Sequence, residues 1–289
     1  MEQQIEFEYK NFNNEAEFQL AWKEQEGKRY SVDNAKLFFE SIPEILAAWQ
    51  EYLLRYCDKS RELFGKYEFP WERFDEPTWV SSLAVAIAKK YPDAMVIEEL
   101  PVTKGKNESQ KGNADLWCSL ENRLNFYLEA KTSPWAKNHL KGAKPYSFQS
   151  IGAKLTSEKN SLISRAFRDY QKSAGKNYIS SKSPHSDEAG RNHPHLFLSL
   201  VIRPVSWDEK DEWGAISFTT IFKEKDIQIF PDKSDVDKNR TRNLHRIPMA
   251  GFILREKNIL RKDKKIFGCI ALVMMMGESD QKGRKPTSN

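Results

Sequence analysis

The apolar positions of this chain change from a helical spacing to a strand spacing near residue 95. Within residues 32–56 and 77–91 they recur three and four residues apart, as on one face of a helix. Further on they form shorter runs that end at polar residues. The pattern predicts helices over 15–26, 32–56, 77–91 and 157–173, and strands over 95–102, 114–120, 124–131, 195–205, 215–222, 247–254 and 267–277.

This order of elements predicts an α/β fold with a mixed central sheet flanked by helices. An N-terminal helical region over residues 1–70 precedes the main domain, which we expect over 71–277. Polar segments predict loops over 104–112, 132–156 and 176–193, and a disordered tail over 278–289.

Two of the predicted strands form a β-hairpin that brings two carboxylates together. Only the polar Glu121-Asn122-Arg123 separates the predicted strands 114–120 and 124–131. If the strands pair symmetrically about Asn122, Asp115 stands opposite Glu129 and the two carboxylates share a face. Such a pair repels unless a cation lies nearby, and Lys131 points to the same face by the period of the strand. Asp, Glu and Lys at the open end of a hairpin predict a site for a divalent cation and a phosphate.

A solvated strand end is the plain alternative. An acidic residue two positions before a lysine occurs six times in a chain that is 30% charged. Of the six, only Glu129 with Lys131 closes an aromatic-rich apolar strand and has an aspartate at the mirrored position. That context favours a functional site.

Charge is distributed unevenly along the chain. Residues 1–120 carry 15 Lys and Arg against 22 Asp and Glu, a net charge of −7. Residues 121–289 carry 31 Lys and Arg against 19 Asp and Glu, a net charge of +12. A basic part that begins where the proposed site is completed suits a polyanionic substrate such as nucleic acid. Lysines that merely keep a protein solvated are the alternative.

Other composition features indicate a soluble protein of the cytoplasm without a membrane partner. No early apolar stretch resembles a signal peptide, and the longest late one, 267–277, is too short to span a bilayer. The three cysteines are far apart and form no CxxC pair, which argues against disulfides and structural zinc.

The acidic helix start, the strand, Gly112-Asn113-Ala114-Asp115, the hairpin and Glu129-Ala130-Lys131 together resemble the PD-(D/E)xK nuclease superfamily, which has the restriction-endonuclease-like fold. The resemblance covers about residues 72–204, and Ala114 stands where the family name has proline. It implies that Asp115, Glu129 and the carbonyl of Ala130 bind Mg²⁺ or Mn²⁺, and that Lys131 positions the attacking water. It also implies a glutamate on the preceding helix, for which Glu76 is the first candidate and Glu72 the second.

The resemblance and the charge together predict a metal-dependent nuclease that hydrolyses phosphodiester bonds of nucleic acid, with DNA favoured and restriction or anti-phage defence as the setting. The alternative is a non-catalytic nucleic-acid-binding or assembly module with a nuclease-like fold. Whether the chain forms a homo-oligomer is left open. The residues expected to contact nucleic acid are Lys137, Lys141, Lys144, Arg240, Arg242 and Arg246.

Overall fold

The structure is a computed structural model. It describes residues 6–12, 32–65, 70–104, 110–120, 124–132, 146–147, 195–208, 228–229, 242–243, 249–257 and 265–278.

Within the described residues, three helices lie between residues 32 and 90. Helix α1 spans Val32–Phe64, α2 spans Pro70–Arg73 and α3 spans Glu76–Lys90. Helix α3 begins where the sequence predicts it: Asp75 caps it by accepting a hydrogen bond from the Thr78 amide at 3.0 Å, and a proline occupies its first turn. No helix in the described ranges is both long and apolar enough to cross a membrane.

Ten strands are described: β1 Glu6–Phe12, β2 Met95–Lys104, β3 Gln110–Leu120, β4 Leu124–Thr132, β5 Tyr146–Ser147, β6 His195–Asp208, β7 Gln228–Ile229, β8 Arg242–Asn243, β9 Met249–Lys257 and β10 Lys265–Glu278. Eight of them form one mixed sheet in the order β1-β9-β10-β6-β4-β3-β2, with β5 paired to β6. Within it, β6 runs parallel to β4 and β5, and the other pairs are antiparallel. The remaining two strands, β7 and β8, pair with each other.

The main core lies where α1 and α3 pack against one face of the sheet. Trp49 of α1 is its centre: the indole N–H donates to the Ser82 hydroxyl of α3 at 2.8 Å, and the ring meets Trp79 and Phe252 edge to face. Because Phe252 belongs to β9, one side chain joins both helices to the sheet. This packing fixes α3, and with it the position of Glu76.

The α/β class and the mixed sheet are confirmed. Several boundaries are not. The N-terminal helical prediction holds for α1 but is wrong for residues 6–12, where apolar Phe7 and Tyr9 alternate with charged residues and form β1. The loop predicted over 104–112 is too long, since Lys104 ends β2 and Gln110 begins β3. The predicted elements over 15–26, 157–173 and 215–222 lie outside the described residues.

Candidate active site

The hairpin of β3 and β4 has the predicted register, but its ladder stops one pair early. Leu116 pairs with Leu128 and Leu120 with Leu124, which places the symmetry point at Asn122. Asp115 and Glu129 are the next positions in this register, but no backbone pair joins them. At this gap in the ladder the Asp115 side chain, and not a backbone group of β3, accepts from the β4 backbone.

The backbone of Ala130 makes hydrogen bonds to two charged side chains of the site. Its amide N–H donates to Asp115 Oδ2 at 2.6 Å, and its carbonyl accepts from Lys131 Nζ at 2.7 Å. In an antiparallel ladder both backbone groups of such a residue would bond to the facing strand. Here a carboxylate and an ammonium replace those bonds, so Asp115 and Lys131 meet at the gap between β3 and β4.

Glu76 reaches the same gap from the first turn of α3. Its Oε2 accepts from the Thr132 amide at 2.9 Å, and its Oε1 lies 3.8 Å from Lys131 Nζ. Lys131 is buried, with 8% of its surface exposed, which makes a nearby carboxylate important for its charge. The helix glutamate of the sequence prediction therefore lies beside the lysine, whereas Glu72, the second choice, lies in α2.

The electrostatics of Asp115 reflect this crowding. Burial, and after it the charges of Glu129 and Glu76, raise the pKa of its carboxyl, which lies at about 6 instead of 3.8. The hydrogen bond from the Ala130 amide and the charge of Lys131 act in the opposite direction. A carboxylate held against burial and like charge would be stabilised by a nearby cation, and the Lys131 ammonium is one such cation.

The donors present are of the kind that Mg²⁺ takes. Asp115 and Glu129 supply two carboxylates and Ala130 a carbonyl, all oxygen, which leaves positions for water and substrate phosphate. In the part of the chain that the structure describes, no three His, Cys, Asp or Glu side chains are grouped to hold a metal ion. By donor type, two carboxylates and a carbonyl would suit a magnesium ion that keeps several of its waters.

Two neighbours of the site were missed by sequence reasoning. Ser199 of β6 faces Glu129 in the parallel ladder, is 1% exposed, and its hydroxyl lies 3.4 Å from the Glu129 carbonyl. A single serine within the apolar run of β6 was the available signal. Glu99 of β2 has a backbone φ of +52°, and the adjacent Glu98 and Glu99 within an apolar strand were the signal there.

The structure describes only one of the six residues that are predicted to contact nucleic acid. Arg242 lies in β8, where its backbone pairs with Ile229 of β7. The others lie outside the described residues: Lys137, Lys141, Lys144, Arg240 and Arg246.

Comparison of the chain with protein-family models, with curated proteins and with solved structures finds no match. Membership of the PD-(D/E)xK superfamily therefore stays a prediction that depends on the residues around Ala130.

Proposed function

We propose that this chain is a magnesium-dependent nuclease of PD-(D/E)xK type that hydrolyses phosphodiester bonds of nucleic acid, with DNA favoured. The supporting observation is a pair of hydrogen bonds at Ala130: its amide donates to Asp115, and its carbonyl accepts from Lys131. Carboxylate, carbonyl and ammonium groups thereby converge at one gap in the sheet. That is the set of groups needed to hold a cation and a phosphate together.

Each residue has a separate part in this reaction. Asp115, Glu129 and the Ala130 carbonyl would hold Mg²⁺, which would supply a bound water of lowered pKa and neutralise charge on the phosphate. Lys131, which lies beside the Glu76 carboxylate, would orient the attacking water and stabilise the negative charge that develops. Glu76 holds the Lys131 ammonium in place across 3.8 Å.

The charge of the chain supports a polyanionic substrate. The net +12 that follows residue 120 provides phosphate contacts without sequence preference, with Lys137, Lys141 and Lys144 as the first candidates. A role in cytosolic restriction or anti-phage defence is the setting that analogy with the nuclease superfamily favours.

A non-catalytic binding or assembly module is the second candidate, and one observation favours it. Asp115 Oδ2 and the Ala130 carbonyl both already have protein hydrogen-bond donors. A site whose oxygens are satisfied internally has less need of a metal, and it would keep the fold without turnover.

A cleavage assay separates the two candidates. Plasmid, linear duplex, single-stranded DNA and RNA are each incubated with the protein in Mg²⁺, in Mn²⁺ and in chelator. We expect metal-dependent cleavage that falls at least about a hundredfold in Glu129→Gln, since a lost metal ligand removes transition-state stabilisation. The control Glu51→Gln removes an exposed carboxylate of α1 and should cleave like the parent. Binding without cleavage by the parent protein in either metal would instead establish the binding module.

A further inference from the structure

Glu99 has an unusual backbone conformation in the middle of β2. Its φ is +52°, the only positive value of a non-glycine residue among the described ranges. The left-handed region is unfavourable for side chains with a Cβ and persists only where the surrounding structure compensates for it. Glycine, asparagine and aspartate tolerate it best.

Glu99 lies opposite Asp115 of the neighbouring strand β3. Strand β2 pairs with β3 at Glu98 with Leu116 and again at Leu100 with Ala114. Glu99 and Asp115 fall between these pairs and form none. On the other side of β3, pairing to β4 has already ended at Leu116. Asp115 is thus left out of the ladder on both sides.

The packing of β3 changes face at this point. Leu116 belongs to the main core with α1 and α3, whereas Ala114 packs with Trp117, Tyr127 and Phe197. Regular alternation would place residues 114 and 116 on the same face. The break in alternation is therefore centred on Asp115 and faces the left-handed residue of β2.

Side-chain contacts hold the break in place. The Asn113 amide group donates to Glu99 Oε2 at 2.9 Å, and the Ser81 hydroxyl of α3 donates to Glu98 Oε2. The two glutamates are thereby tied to β3 and to α3, the helix that also carries Glu76. These contacts compensate for the unfavourable φ at Glu99.

In a regular strand the Asp115 side chain would stand roughly perpendicular to the sheet. The Ala130 amide that it reaches belongs to the next strand and lies near the plane of the sheet. We propose that Glu99 is a positioning residue: its left-handed backbone keeps Asp115 out of the ladder, so that the carboxylate turns toward Ala130 and Glu129. This inference depends on the proposed function only for its consequence, the placement of a metal ligand.

The test compares substitutions that differ in their tolerance of positive φ. Glycine accepts this conformation without strain, whereas β-branched valine strongly disfavours it. Glu99→Gly should leave the Ala130 amide as slow to exchange with deuterium as in the parent protein. Glu99→Val should speed that exchange about tenfold, since a hydrogen bond to a carboxylate is lost, and should weaken Mg²⁺ binding measured by calorimetry. The control Glu98→Gln keeps a side-chain oxygen that can accept from the Ser81 hydroxyl and leaves the left-handed position unchanged, so it should not alter Ala130 exchange.

A second pair of variants tests the same inference if Glu99→Val does not fold. Glu99→Asn and Glu99→Ala both remove the glutamate carboxylate, but only asparagine tolerates positive φ well. Asparagine should therefore retain slower Ala130 exchange than alanine. Parental exchange at Ala130 in both the valine and the alanine variants would overturn the positioning role. Because exchange is measured without metal or substrate, an inactive parent protein with the expected exchange pattern would refute the nuclease and leave the positioning inference standing.

Discussion

Replacing Asp115 by asparagine should stabilise the metal-free protein at neutral pH. Asparagine keeps a side-chain oxygen that can accept the Ala130 amide hydrogen bond, now 2.6 Å long. It removes a negative charge that burial and Glu129 disfavour. The substitution therefore separates the hydrogen bond, which is kept, from the charge, which is lost.

The magnitude follows from the pKa of this carboxyl. It is raised from 3.8 to about 6, about two pKa units, and one unit corresponds to about 1.4 kcal/mol. Between these values the folded protein binds more protons than the unfolded chain, so Asp115 lowers the free energy of unfolding as the pH rises. Asp115→Asn should thus match the parent below about pH 4 and exceed it by about 3 kcal/mol above about pH 7.

Denaturant unfolding in chelator, repeated from pH 3.5 to 8, measures this difference. Asp75→Asn is the matched control with the opposite sign, because hydrogen bonds from Thr78 lower the pKa of that carboxyl and its charge favours the α3 N-terminus. It should give no gain at neutral pH. A difference between Asp115→Asn and the parent that is independent of pH, or a loss of stability at pH 7, would refute the electrostatic argument.

Four further predictions concern the metal, the catalytic unit, the substrate and the core. Mg²⁺ at one hundred times its Kd should raise the free energy of unfolding of the parent by about 2.7 kcal/mol, measured as a rise in melting temperature, and this rise should be absent in Asp115→Asn. Single alanine substitutions of Asp115, Glu129 and Lys131 should each abolish most cleavage, and the triple variant should lose little more in a single-turnover assay. A Lys→Gln triple at 137, 141 and 144 should flatten the log-log salt dependence of nucleic-acid binding by about three, and the parental slope would exclude these lysines as phosphate contacts. Leu83→Ala, on the buried face of α3, should lower the free energy of unfolding by about 2–5 kcal/mol in urea titration.

Local patterns predicted the elements whose signals lie close together in the chain. The hairpin is one: its two apolar runs and the short polar turn fixed the register about Asn122, because a shift by one residue would turn every side chain to the other face. The start of α3 at Asp75-Glu76-Pro77 is another, since an N-cap and an early proline act within a single turn.

Contacts between distant parts of the chain were decided only by the tertiary structure. The Glu76 carboxylate meets the Thr132 amide, 56 residues away, because Trp49 and Ser82 hold α1 and α3 on the sheet. Ser199 lies beside Glu129 because β6 runs parallel to β4, and such a pairing has no local signal. The same is true of β1, whose alternation was visible but whose partner, β9, is more than 230 residues later in the chain.

The candidate site shows both contributions. Sequence spacing determined that Asp115, Glu129 and Lys131 belong to one hairpin end, because the strand period and the turn place them there. It did not determine how they meet, since that depends on where the ladders stop. The left-handed backbone at Glu99 and the end of the β3–β4 ladder at Leu116 involve strands that only the folded sheet brings together, as does the hydrogen bond from the Ala130 amide to Asp115.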